Sequence, residues 1–215
     1  MKKLCIFDFD GTLANTMDSI AFFVNKTLNE YGIDSIDTNI IQSFVGTGAR
    51  DLIKRCLDYS GSNLPCDEVL SKYLSHYDSD PCYLVEIYDG IFDMLTSLKE
   101  EGYDLAVLSN KPHSSTSLII EKLFPKDIFY KYLGKSEKFK KKPDPEAVNY
   151  IANGYSKENC YFIGDSDVDI ITGKNAGMKT IAVTWGFRTE DVLKAENPDH
   201  IATSAREVTD IILQK

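Results

Sequence analysis

In the second half of the chain, short apolar runs alternate with segments whose apolar residues recur every three or four positions. The first period is that of a buried strand, the second that of a helix lying on a sheet. Asp104-Leu-Ala-Val-Leu-Ser109 predicts a strand, and Ser114 to Leu123 a helix after it. Cys160 to Gly164 predicts a second strand, leading into a helix from about Ser166 to Ala176 that Gly177 stops at its C-terminal cap. Thr180 to Thr184 reads as a further strand and Ala205 to Leu213 as a closing helix. Strand and helix in strict alternation predict an α/β fold, a doubly wound parallel sheet with helices on both faces.

The first half breaks this rhythm. A strand-like run, Leu4 to Phe9, carries Asp8 near its end, and the next strand of the second half begins only at Asp104. One crossover needs about a dozen residues, so the interval holds something more. Ile20, Phe23, Val24, Thr27, Leu28 and Tyr31 fall on one helical face. Ala49, Leu52, Ile53, Cys56 and Leu57 repeat the pattern, and Val69 to Tyr77 repeats it more weakly. Residues 14–87 are therefore expected to form a small, inserted, all-helical cap domain. Residues 1–13 and 88–215 are expected to form the α/β domain, with Tyr88-Asp89-Gly90 as the return.

Composition narrows the partners. The 215 residues are 43% hydrophobic and 27% charged, ordinary for a globular enzyme. A net charge of -9 and a pI near 4.9 argue against nucleic acid and anionic membranes as partners, but not against a small anion met by local cations. The Lys2-Lys3 pair runs directly into the first strand, and no apolar run approaches the roughly 20 residues that span a bilayer, so a cytoplasmic location is expected. The five cysteines form no C-x-x-C pair, which predicts reduced thiols, and His76, His113 and His200 lie too far apart in sequence to suggest zinc.

Ligands of open parallel sheets bind beyond the carboxyl ends of the strands. Three predicted strands end there in polar residues: Asp8-Phe-Asp10, Ser109-Asn110 and Gly164-Asp165. Each alone has a bland structural reading as a turn or helix cap; three on one sheet edge predict an active site. Carboxylates from separate strands make an oxygen-rich site for a hard divalent cation such as Mg2+. A carboxylate can also attack phosphorus, dividing one displacement into two.

At these residues the chain resembles the haloacid-dehalogenase-like hydrolase superfamily. Asp8-Phe-Asp-Gly-Thr-Leu13 is similar to its first motif, Leu108-Ser-Asn-Lys111 to its second, and Lys142-Pro143 to its third. Gly164-Asp-Ser-Asp-Val-Asp169, followed by Ala176-Gly-Met178, is similar to its fourth, and the order is the family's. The resemblance implies that Asp8 is the nucleophile and a magnesium ligand. It implies that Asp10 exchanges protons with the leaving alcohol and the hydrolytic water while its main-chain carbonyl binds the metal. It further implies that Gly11, Thr12, Ser109 and Asn110 contact the phosphoryl group, that Lys142 offsets its charge, and that Asp165 and Asp169 complete the metal site.

A second aspartate at position 10 favours a phosphatase over a dehalogenase, since a departing halide needs no proton. The stretch Thr16-Met-Asp-Ser-Ile20 lacks the histidine that sugar phosphomutases of this group place there, which ranks hydrolysis above isomerisation. Residues 8–32 and Phe44-Val-Gly-Thr-Gly-Ala-Arg-Asp-Leu52 resemble phosphoglycolate phosphatases, with Arg50 as a candidate contact to substrate. The expected partner is a small phosphorylated metabolite, and the chain a monomer or homodimer. Pyrophosphatase, nucleotidase and phosphomutase activities are the alternatives, and a non-catalytic regulatory module is a further one. Trp185 is expected to pack, Arg188 to meet a neighbouring loop, and His113 to border the pocket or face solvent.

Overall fold

A computed structural model describes residues 2–214. The chain starts with β1 (Lys3–Phe7) and passes through the two-residue β2 (Ala14–Asn15). Four helices follow: α1 (Met17–Glu30), α2 (Thr38–Phe44), α3 (Ala49–Tyr59) and α4 (Cys66–Ser79). β3 (Glu86–Ile87) then pairs antiparallel with β2, bringing Ala14 opposite Ile87. The remainder alternates: α5 (Ile91–Glu100), β4 (Tyr103–Pro112), α6 (His113–Leu123), β5 (Lys131–Lys135), α7 (Glu146–Ile151), β6 (Cys160–Gly164), α8 (Asp167–Asn175), β7 (Lys179–Val183), α9 (Glu190–Ala195), β8 (His200–Ala202) and α10 (Ala205–Leu213).

The main sheet is six-stranded, in the order β5-β4-β1-β6-β7-β8, and every pair is parallel. The doubly wound α/β expectation is met. Side chains alternate across a strand, and β1 divides them cleanly. Leu4 and Ile6 join Leu108, Val148 and Phe162 on one face, while Cys5 and Phe7 join Leu95, Val107 and Ile163 on the other. The second cluster continues without a break into Ile20, Val24, Ile53 and Tyr73 of the inserted helices. Among the described residues no helix is long and apolar enough to cross a membrane.

Strand order positions the site. β1 lies between β4 and β6, and the chain reverses its winding there, so the carboxyl ends of β1, β4 and β6 open on one crevice. The helices between β2 and β3 stand above it: Ile20, Leu52, Tyr73, Leu74 and Tyr77 line the cavity from one side, and Asp8, Ser109 and Asp165 from the other.

Candidate active site

At the end of β1 the chain turns sharply. The N–H groups of Thr12, Leu13 and Ala14 all point back to the Phe9 carbonyl, and the Gly11 N–H donates to the Ala14 carbonyl at 2.9 Å. Gly11 has φ +84, and a Cβ there would lie 2.3 Å from Asp165 Oδ2. Only glycine allows both the left-handed turn and that close approach. The Thr12 hydroxyl donates to Asp165 Oδ1 at 2.9 Å. Gly11 and Thr12 were expected beside the phosphate; the Gly11 N–H closes the turn onto Ala14, and the Thr12 hydroxyl orients Asp165.

Asp8, Asp165 and Asp169 converge, with a carboxylate oxygen from each within 4.8 Å of the others. Asp165 is held by Thr12 and by the Phe187 N–H, which donates to Oδ2 at 2.8 Å. Asp169 belongs to a capping box at the start of α8: its Oδ2 accepts from the Ser166 N–H at 3.1 Å and the Ser166 hydroxyl at 2.6 Å. Lys142, with its side chain only 2% exposed, lies 2.6 Å from Asp169 Oδ1 and 2.8 Å from Asp8 Oδ1. Asp8 Oδ1 is buried, with the Lys142 ammonium as its charge partner.

One lysine thus faces three buried carboxylates. Burial and the neighbouring Asp169 push the Asp8 carboxyl well above the ordinary range, against the pull of Lys142. Burial and Asp169 push Asp165 up to about 7, against the hydrogen bonds from Phe187 and Thr12. Lys142 remains protonated: burial disfavours its charge, but Asp169 and Asp8 outweigh that and hold it above the usual lysine range. Surplus negative charge on hard oxygen donors fits a divalent cation such as Mg2+, with Asp8 and Asp165 as the less satisfied carboxylates.

This electrostatic arrangement has a sign that can be measured. Between the ordinary aspartate value of about 3.9 and about 7, folded Asp165 keeps a proton that the unfolded chain has released. Metal-free protein is therefore expected to lose stability as pH rises through that window. Magnesium should raise the melting temperature by several degrees at pH 8 and by little at pH 5, where it competes with protons. Thermal denaturation with EDTA or magnesium at the two pH values checks this; an equal shift at both would refute it.

Asp10 sits apart from this trio. Its Oδ1 accepts from the Thr16 hydroxyl at 2.7 Å and from Lys111 Nζ at 3.0 Å, leaving Oδ2 without a protein hydrogen bond among the described residues. Lys111 is buried, with its ammonium 4.4 Å from the centre of the Tyr77 ring. Burial opposes its charge, yet Asp10 keeps it protonated, above the usual range. Lys111 lies within the second motif, and its place in the site was signalled only by an apolar strand that ends in a lysine and then a proline.

The other expected residues separate into two groups. Ser109 and Asn110 both line the cavity. Asn110 was expected to hold phosphoryl oxygens; its side-chain amide is bonded within the protein. Its Oδ1 accepts from the Lys142 N–H at 2.9 Å, while Nδ2 donates to the Lys142 carbonyl at 3.2 Å and the Gly46 carbonyl at 3.0 Å. It acts as a clamp on the lysine segment. Arg50 is not brought to the cavity: its side chain is 62% exposed and pairs with Asp67 on α4. The loop before it does arrive, since Gly46, Gly48 and Ala49 line the wall. Trp185 donates to the Thr12 carbonyl at 3.1 Å and packs edge-on with Tyr88, while His113 accepts from the Gly134 N–H at 3.2 Å.

Comparison with known proteins agrees with this geometry. A family model described as haloacid dehalogenase-like hydrolase matches residues 5–183. The phosphoglycolate phosphatase of Colwellia psychrerythraea is 32% identical over 207 residues, covering 92% of this chain and 91% of that one. That of Haemophilus influenzae is 29% identical over 208 residues, covering 93% of each. Among solved structures, that of a predicted phosphoglycolate phosphatase from Haemophilus somnus superimposes with a TM-score of 0.91 at 27% identity, over 98% of this chain and 97% of that one. The four motifs, the sheet that gathers their carboxylates and these relatives place the chain in one family: it belongs to the haloacid dehalogenase-like hydrolases.

Proposed function

We propose that the protein is a magnesium-dependent phosphatase that hydrolyses a small phosphate monoester through a phosphorylated Asp8. The convergence of Asp8 with Asp165, Asp169 and Lys142 at the strand ends, two residues before a separately held Asp10, carries this reading. Asp8 attacks phosphorus, and Asp10 gives a proton to the departing alcohol through Oδ2. Asp10 then takes a proton from the water that attacks the aspartyl-phosphate, which releases inorganic phosphate and restores Asp8. Lys142 balances charge on the phosphoryl oxygens, and the Ser109 hydroxyl donates to one of them. Asp8, Asp165, the main-chain carbonyl of Asp10 and, in support, Asp169 would hold the metal, which lowers the repulsion between carboxylate and phosphate.

Substrate size follows from the wall opposite. Ile20, Leu52, Tyr73, Leu74 and Tyr77 close over the cavity as an apolar cap, and we assign residues 14–87 to that cap. Lys111, at the end of β4 and paired with Asp10, adds a second cation to the cavity lining, suited to an ester bearing another anionic group. The relatives named above are phosphoglycolate phosphatases, and 2-phosphoglycolate has that chemistry. The residue that contacts Asp10 from the cap side is Thr16, a hydroxyl with no acid-base capacity near neutrality, which disfavours a mutase.

Phosphate release from 2-phosphoglycolate, pyrophosphate, a nucleoside monophosphate and a sugar phosphate, with and without magnesium, tests the proposal. Metal-dependent release, fastest with 2-phosphoglycolate, is expected. Isomerisation of a sugar 1-phosphate, or metal-free release of halide from a haloacid, would overturn it.

A further inference from the structure

One polar strip in the cavity wall is unused by the chemistry above. Residues 184–188, which follow β7, are bonded on one edge to the floor of the site and on the other to the helical insert. On the floor side, the Phe187 N–H donates to Asp165 Oδ2 at 2.8 Å, and Gly186 lies so close that a Cβ would be 2.3 Å from Asp165 Cβ. On the insert side, the Phe187 carbonyl accepts from Gln42 Nε2 at 2.9 Å. Arg188 Nη1 donates to the Gln42 carbonyl at 3.2 Å and Nη2 to the Val45 carbonyl. These carbonyls belong to the C-terminal end of α2, where the helix dipole is negative; that of Gln42 also accepts from the Val45 N–H at 3.2 Å.

Arg188 is well held for this task. Its side chain is 17% exposed, and Nε lies 3.7 Å from Asp167 Oδ1. Gly46 passes so near that a Cβ would sit 3.3 Å from Nη2. With each terminal nitrogen on a backbone carbonyl of the insert, the guanidinium ties that segment to the cavity wall it lines.

We propose that Arg188 is a positioning residue that latches the 42–48 segment over the cavity, and that this latch sets affinity for small esters. Its kinetic consequences rest on the phosphatase reading; its structural one does not. If binding requires the seated segment, apparent affinity falls by the fraction of molecules in which it is seated. Loss of the latch then raises KM and leaves kcat, which belongs to the bound and seated state, nearly the same.

The test is Arg188→Ala, Arg188→Lys, Gln42→Ala and the double alanine variant, assayed on 2-phosphoglycolate with magnesium and by backbone hydrogen exchange. Arg188→Ala is expected to raise KM about tenfold with kcat within about threefold. It should also speed exchange across 42–48 about tenfold while the sheet strands stay protected, which shows that the variant is folded. Arg188→Lys, able to reach one carbonyl, should recover part of the loss. Gln42→Ala should add less than about twofold in the Arg188→Ala background, because the two act as one unit. Unchanged exchange across 42–48, or a fall in kcat at constant KM, would overturn the latch. A wild-type protein that hydrolyses no ester would defeat the phosphatase reading, while the exchange comparison would still decide the latch.

Discussion

Asp8→Asn is expected to abolish phosphate release, by about 10⁴-fold or more, the scale on which enzymes respond to loss of a group at the centre of covalent catalysis. The amide keeps the shape of the side chain but cannot attack phosphorus. The same substitution should stabilise the metal-free protein. Asp8 is buried beside Asp169 and Asp165, and its carboxyl is pushed well above the ordinary range. Removing its charge relieves that crowding and leaves Lys142 to Asp169, its nearer partner at 2.6 Å. Activity assays and thermal denaturation in EDTA should therefore move in opposite directions. A variant that loses both activity and stability would identify Asp8 as a scaffold residue and remove the case for it as nucleophile.

Lys142→Met is expected to be costly on both counts. The aliphatic stem is replaced, but Asp8 and Asp169 lose the cation that balances them in a buried site. Breaking a buried pair on one side typically costs about 3–5 kcal/mol, which for a chain of this size corresponds to a drop of about 10 °C in melting temperature. Turnover should fall by about 10²–10³-fold, as when one electrostatic donor to a transition state is removed. Magnesium should restore part of the stability, because it supplies positive charge to the same carboxylates, and little of the turnover. Denaturation in EDTA and in magnesium separates the two effects. A melting temperature unchanged in EDTA would mean that Lys142 does not balance those charges.

What the sequence disclosed depended on how local each signal was. β6 and α10 fall on the residues expected, Cys160–Gly164 and Ala205–Leu213, because an uninterrupted apolar run and a strong helical period needed no tertiary help. β5 was not anticipated. Its residues, Lys131-Tyr-Leu-Gly-Lys135, show no apolar run, and they become a strand through pairing with Ala106, Val107 and Leu108 of β4. β8 is three residues long at the opposite edge and was equally invisible. The carboxylates were legible because each stands at the end of a strand. The partners of those carboxylates were not. That Thr12 serves Asp165, that Asn110 clamps Lys142, and that Arg50 turns to Asp67 are facts of three-dimensional neighbourhood with no signature in spacing.

The two-residue ribbon between Ala14 and Ile87 has a consequence for how such a molecule can change. Paired residues of an antiparallel ribbon stand about 5 Å apart, so the sheet meets everything from residue 15 to 86 as a loop whose ends are already joined. Lengthening a joined loop is thermodynamically mild, about 0.6 kcal/mol for each doubling. The register of β1 between β4 and β6 does not depend on how many residues the loop contains. Apart from the points where it grips the floor, Thr16 on Asp10 and Gly46 on Asn110, the roof of the cavity can thus be rewritten in length as well as in side chains while the strand ends beneath it keep their register.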